Sequence, residues 1–328
     1  MVKRVIVIID RVDNPRIESE VFGAGYDLHC LNGNLGPEND DLLASADGIL
    51  VWHNDLASEI LDKFKNCKGI VRYGTGFDNI DLKYSRSLGI PVCNTPDYGV
   101  DEVADTACAM ILNSVRQIKY YEKLLTAGKG TWGDSSDLKL LRTSDHALGI
   151  VGCGRIGTAV ALRMKAFGLN IGFYDPYLAR GYEKAIGIKR FESMDQLISE
   201  STIISFHTPL TNETAGIVNK DFINRLNDNT ILINTARGPI ISDLQAVIDG
   251  LNSKKILFLG IDVVPDESGD LSHNFFASWK DSDLSARILV TPHSAYYSDS
   301  AFPEMRLKAA LNLKGILEGA NPVNLVNG

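Results

Sequence analysis

"ALGIVGCGRIGTAVALRMKAFG", residues 147–168, decides how the rest of the chain is read. Leu148 to Val151 form a short apolar run of strand type, and Ile156, Val160, Met164 and Phe167 recur afterwards at helical spacing. Between them Gly152, Gly154 and Gly157 stand in G-x-G-x-x-G order. Glycines so spaced are a weak signal alone; at a strand-to-helix turn they read as a dinucleotide cradle. The first permits the tight turn, the second lets a pyrophosphate approach the backbone, and the third lets the helix pack closely. Unpaired N–H groups of the helix N-terminus then face the anion.

The next apolar run, "LNIGFYD", ends in Asp175, beyond the last glycine by about the twenty residues of a βαβ return. A carboxylate there accepts hydrogen bonds from an adenosine ribose and repels a 2′-phosphate, which favours NAD over NADP. Arg180, close in sequence, keeps the second dinucleotide open.

Further out on the C-terminal side, "TIISFHT", "TILINTA", "ILFLGIDV" and "RILVTPH" continue the strand series, and "AFPEMRLKAALNLKGILEG" (301–319) reads as a closing helix. On the N-terminal side, "VDEVADTACAMILNSVRQIKYYEKLLTAG" (100–128) reads as one long helical stretch. Val103, Ala107, Met110, Ile111, Val115 and Ile118 form its apolar face, and Asp101 is its cap. The polar segment 128–146 reads as an exposed connection whose Trp132 covers its own domain or a partner subunit. The first hundred residues alternate "RVIVIID", "GILVWH", "GIVRYG" and "IPVCN" with helix-like segments such as "DLASEILDKF" (55–64). Such alternation predicts an α/β chain with doubly wound parallel sheets covered by helices on both faces, in two domains.

Composition sets bounds on partners. The 328 residues are 45% hydrophobic and 23% charged, with net charge -8, which disfavours bulk attraction to nucleic acid or anionic lipid. The opening apolar run is cut short by Asp10, Arg11 and Asp13, so it is no signal peptide, and no apolar run reaches membrane-span length. A cytoplasmic protein is expected. The five cysteines (Cys30, Cys67, Cys93, Cys108, Cys153) have no paired or metal-ligand spacing, so they read as free thiols and no metal site is expected.

Three polar segments leave successive strands: "LINTARGPIISD" (232–243) carries Arg237, "LGIDVVPDES" (259–268) carries Asp262 and Glu267, and "VTPHSAYYSD" (290–299) carries His293. A histidine alone is more often packed than catalytic. With "GCGRIG" and "VRYGTGFDNIDL" (71–82), however, these segments resemble the D-isomer-specific 2-hydroxyacid dehydrogenase family over essentially the whole chain. "RYGTGFDNID", "FYDPYLARG", "NTARG" and "TPHSAYYS" are most similar to its C-terminal-binding protein branch, whose members bind NAD(H) and act as corepressors.

That resemblance implies two Rossmann-like or flavodoxin-like domains with an active-site cleft between them. Residues 1–100 plus 296–328 form the substrate domain and 101–295 the NAD-binding domain. It implies reduction of a 2-oxo acid to a D-2-hydroxy acid, with His293 as acid/base, Glu267 as its partner and Arg237 gripping the substrate through a planar fork. Cofactor contacts are expected from Gly152, Gly154, Arg155, Ile156, Gly157, Asp175, Thr208, Ala236 and Asp262. Substrate contacts are expected from Gly74, Thr75 and Gly76, whose backbone N–H groups would bind a carboxylate, and from His53, Arg72 and Tyr296. Arg72 could instead form a surface ion pair, and His53 could cap its strand.

Two departures stand out. Ser268 follows Glu267 where the family usually has proline, with Asp266 as a neighbouring carboxylate, and Tyr296 replaces a pocket tryptophan. A homodimer is implied as well. The alternatives are an NAD(H)-sensing scaffold and a D-3-phosphoglycerate dehydrogenase, the latter disfavoured because only Arg72 is added to Arg237 for a substrate phosphate.

Overall fold

The computed structural model describes residues 3–129, 132–133, 140–267, 279–280 and 282–328. Contacts divide the chain into two units: Met1–Gly99 with Tyr297–Gly328, and Val100–Tyr296.

In the first unit five parallel strands, β1 (Arg4–Ile8), β2 (Tyr26–Cys30), β3 (Gly48–Val51), β4 (Ile70–Arg72) and β5 (Val92–Cys93), lie in the order β2-β1-β3-β4-β5. This is the flavodoxin-like doubly wound order. β3 is buried along its whole length, as expected of a strand covered on both faces. The helix Ala301–Leu317 packs on one face through Met305, Ala309 and Leu313, and Gly48 makes room for Leu313: a Cβ there would stand 2.9 Å from Leu313 Cδ1. The C-terminal tail is pinned by Asn327, whose side chain accepts from Val92 N and donates to Ile90 O.

The second unit holds β6 (Ala147–Val151), β7 (Asn170–Tyr174), β8 (Lys189–Arg190), β9 (Ile203–Phe206), β10 (Thr230–Asn234), β11 (Ile256–Ile261) and β12 (Ile288–Val290). All are parallel, in the order β12-β11-β10-β9-β6-β7-β8. One face packs Met110, Ile111, Val160 and Met164, and the other Leu197, Phe222, Val247 and Leu251. The chain runs outward from β6 to β8 and returns to β9 on the other side of β6. A crevice therefore opens at the carboxyl end of β6, where such folds bind dinucleotides.

Several expectations are corrected. The stretch 100–128 is two helices, Val100–Arg116 and Ile118–Thr126, because the buried Gln117 adopts a left-handed backbone (φ 55°) and ends the first. Ile118 consequently leaves the apolar face and is 57% exposed. Asp101 is not a cap; it lies in the first turn and accepts from Arg163 Nη2 at 2.6 Å. Trp132 is 95% exposed and does not cover its own domain. Only Ser58–Leu61 of 55–64 is helical. All five cysteines are free, and burial pushes the Cys153 thiol up to about 11 and Cys67 to about 12. Among the described residues no helix is long and apolar enough to cross a membrane.

Candidate functional site

The glycine turn joins β6 to the helix Arg155–Ala166. Gly152 has φ 85°, and a Cβ on it would meet Thr208 Cγ2 at 2.7 Å. A Cβ on Gly157 would meet the Gly152 carbonyl oxygen at 2.1 Å, so the helix seats directly on the turn. Gly154 has nothing within 4 Å of its missing side chain, which leaves its face open for a ligand's close approach. Arg155 and Ile156 begin the helix, where N–H groups have no intrahelical acceptor.

Asp175 follows β7 directly. Its Oδ2 accepts from Cys153 N at 2.9 Å and its Oδ1 from Tyr177 N at 3.0 Å, so the carboxylate is fixed against the glycine turn with acceptor capacity to spare. Arg180 turns to Glu192 in a bidentate pair (3.1 and 2.9 Å). Two further groups suit a polar ligand: the Thr208 and Thr235 hydroxyls, at the ends of β9 and β10, are shut off from water without a protein partner. A buried hydroxyl of that kind is costly unless something pairs with it. The open Gly154 face, the fixed Asp175 and these hydroxyls fit a dinucleotide.

His207 adjoins this crevice. Its Nε2 pairs with Ser205 Oγ at 2.8 Å, its Nδ1 has no partner, and burial pushes the imidazole from the ordinary 6.5 down to about 4. The unfolded chain therefore binds the extra proton between those values. His207's contribution to stability is complete above pH 6.5 and is lost as the pH falls through about 4, roughly 3 kcal/mol in all. Urea unfolding at pH 7 and pH 5 should show a loss about 2 kcal/mol larger in the wild type than in His207→Gln. Equal losses would rule out this histidine as the source.

Beyond β10, β11 and β12, neighbours in the sheet, come the three polar segments. His293, in a left-handed conformation (φ 52°), points Nδ1 at Glu267 Oε2, 2.6 Å away. Both side chains are about one-third exposed, at 34% and 38%. Tyr296 stands edge-on to the His293 ring, centroids 6.3 Å apart.

Asp262, expected at the nicotinamide end, is almost wholly buried and organises the histidine loop. Its carboxylate accepts from Thr291 Oγ1 (2.5 Å), Ser294 N (2.9 Å) and Ala295 N (3.1 Å), and its carbonyl accepts from His293 N (2.8 Å). The left-handed backbone of His293 is thus over-determined by its neighbours.

Arg237 is half-buried and donates from Nη1 to Ala236 O at 2.8 Å. Ala236 N donates to Asn234 Oδ1, and Asn234 Nδ2 donates to Arg237 O, so both backbone groups of Ala236 are engaged within the turn. Asn234, a buried polar residue that sequence reasoning passed over, shapes the arginine loop; its place at the end of a strand just before "TARG" was the available signal. Ser268 lies outside the described residues.

In the first unit Val51 of β3 pairs with Arg72 of β4, so the segments after both strands run side by side. Arg72 lies over Gly74: its Nη1 is 2.3 Å from the place a Cβ of Gly74 would take. What requires glycine at 74 is its backbone, φ 101°, which L side chains rarely adopt. Asn94 Nδ2 donates to Thr75 O, and Thr95 N to Gly74 O; Thr75 itself is exposed and Gly76 half-buried. His53 is exposed and stacks on Trp52, centroids 4.4 Å apart. The buried carboxylate of Asp10 accepts from the backbone N–H groups of Trp52, His53 and Asn54 (2.5, 2.7 and 3.1 Å), fixing this segment much as Asp262 fixes its own.

Comparison with known proteins gives the following. Residues 108–295 match the model of the D-isomer specific 2-hydroxyacid dehydrogenase NAD binding domain. C-terminal-binding protein 1 of Caenorhabditis elegans is 34% identical over 298 residues, covering 88% of this chain; the chain spans 40% of that protein's length. A hydroxypyruvate reductase of Blautia hydrogenotrophica is 31% identical over 292 residues, covering 87% of this chain and 86% of that one. The structure of a D-lactate dehydrogenase from Aquifex aeolicus, complexed with NAD and lactic acid, superposes with a TM-score of 0.83 at 29% identity over 96% of both chains.

Proposed function

The chain belongs to the D-isomer specific 2-hydroxyacid dehydrogenase family and contains its NAD-binding domain, and from that premise we propose that it interconverts a 2-oxo acid and a D-2-hydroxy acid. The observation that carries the reading is the 2.6 Å pair between His293 Nδ1 and Glu267 Oε2 at the carboxyl edge of an NAD-binding sheet. With Nδ1 committed to the carboxylate, Nε2 is the atom that gives a proton to the carbonyl oxygen during reduction and takes it back during oxidation. When bound, the dinucleotide supplies or accepts the hydride. Arg237 holds the substrate carboxylate and polarises the ketone. Thr208 and Thr235 offer their unpaired hydroxyls to the dinucleotide, Asp175 accepts from its ribose, and Arg155, Ile156 and Gly157 turn N–H groups to its phosphates. Arg180, engaged by Glu192, is not poised for a 2′-phosphate, which favours NAD.

Substrate contacts from Arg72, His53 and the backbone of Gly74, Thr75 and Gly76, with Tyr296 tuning selectivity, complete the proposal, together with a homodimer and a cytoplasmic location. The test is NADH oxidation with a panel of glyoxylate, pyruvate, phenylpyruvate, 4-methylthio-2-oxobutyrate and phosphohydroxypyruvate. Turnover of at least one unphosphorylated member is expected. Tight NADH binding without turnover of any member would favour a second reading, an NAD(H)-sensing scaffold, to which the similarity to the worm C-terminal-binding protein lends weight.

A further inference from the structure

A buried ionic cluster lies behind the Arg72–Gly76 segment. Glu18, on the helix Arg16–Phe22, is completely buried, and its carboxylate accepts three hydrogen bonds. Arg306, on the helix Ala301–Leu317, donates Nε to Oε1 at 2.8 Å and Nη2 to Oε2 at 2.5 Å; the Tyr73 hydroxyl donates to Oε1 at 2.9 Å. Arg306 Nη2 also donates to Asn14 O at 2.6 Å. Burial, reinforced by Glu18, pushes the Tyr73 phenol well above its ordinary range, so it stays a donor. Tyr73 N donates to Val51 O, which ties the same residue to β3.

Side chains alternate along extended backbone. Tyr73 therefore faces the two helices while Arg72, at the end of β4, faces the other way, its guanidinium 2.3 Å from where a Cβ of Gly74 would stand. Burying an ion pair is expensive, and apolar packing of similar volume commonly stabilises as well or better. What the cluster supplies beyond packing is one geometry: a bidentate fork and a phenol bond that fix where the tyrosine sits. Arg306 lies 5.9 Å from the Phe302 ring centroid, and Phe302 packs on Trp52 at 5.3 Å, so the same helix also supports the Trp52–His53 segment beyond β3.

We propose that Tyr73, held by the Glu18–Arg306 pair, is a positioning residue that fixes the Arg72–Gly76 segment for the substrate carboxylate. This rests on the substrate role proposed above for that segment. Tyr73→Phe removes one hydrogen bond and keeps the ring and the ion pair. It should speed amide hydrogen exchange in residues 72–76, raise KM for the 2-oxo acid roughly tenfold and leave kcat and NADH affinity within about twofold. Glu18→Gln turns an amide N–H group toward an Arg306 donor and leaves the buried guanidinium without its counter-charge, so it should loosen the segment more than Tyr73→Phe.

Unchanged exchange in residues 72–76 overturns the proposal whatever the activity. Faster exchange with an unchanged KM also overturns it, because the network would then be structural only. A wild type that reduces no 2-oxo acid defeats the proposed function instead, and the exchange arm still decides whether Tyr73 fixes the segment.

Discussion

His293→Ala should lower kcat for the proposed 2-oxo acid reduction by about a thousandfold, the middle of the range for a lost general acid, and should retain NADH binding. The expectation follows from how the loop is held. Every bond from Asp262 to the segment 291–295 goes to a backbone N–H or to the Thr291 hydroxyl, so removing the imidazole leaves that scaffold intact. What disappears is the group oriented by Glu267 at 2.6 Å. Histidine and alanine both place a Cβ at the left-handed position, where histidine is the better tolerated, so the melting temperature should fall only slightly. His293→Asn separates the two effects, since asparagine tolerates that backbone but is a poor proton donor. It should show the same loss of kcat with little change in melting. Glu267→Gln, which keeps a hydrogen-bonding partner, should cost less. Single-turnover reduction monitored by NADH absorbance reads all three, and an alanine variant within tenfold of the wild type would remove His293 from the mechanism.

What could be read from the sequence follows from where each residue's constraint is local. The glycine turn and the strands of the second sheet other than β8 are continuous apolar runs with local punctuation, and they read directly. β2, "YDLHC", did not, because an edge strand is half exposed and carries no β-branched run; two-residue β8 is too short to have a pattern. The break at Gln117 was invisible because apolar residues continue past it while the backbone turns left-handed. His293 and Glu267 could be paired only through resemblance, since their contact spans two strand ends. Asp10, Glu18 and Arg306 were missed for a related reason: each is an ordinary charged residue until the fold buries it, and Glu18 and Arg306 are separated by nearly the whole chain.

Gly238→Ala should reduce kcat/KM by at least about a hundredfold, although residue 238 touches neither substrate nor dinucleotide in the proposed mechanism. A Cβ on Gly238 would lie 1.8 Å from the Val264 carbonyl oxygen and 2.6 Å from Pro265 N. Both neighbours are backbone, so no side-chain rotation relieves the overlap, and one loop or both must move by more than an ångström. On one side the displacement reaches Arg237, the adjacent residue, whose carbonyl is held by Asn234. On the other it reaches Glu267, because Val264 N donates to Glu267 Oε1 at 3.3 Å, and through Glu267 it reaches His293. A single methyl group thus disturbs both the proposed carboxylate grip and the proposed proton donor, so KM should rise while kcat falls. His293→Ala, by contrast, acts mainly on kcat. Overpacking of this kind costs about 1–3 kcal/mol, so the variant should still fold. NADH affinity, assigned in the proposed mechanism to the glycine turn after β6, should change far less than turnover. Fluorescence titration with NADH beside steady-state kinetics checks this, and near-wild-type turnover in a folded Gly238→Ala would mean that the β10 and β11 loops do not need their close contact to align the site.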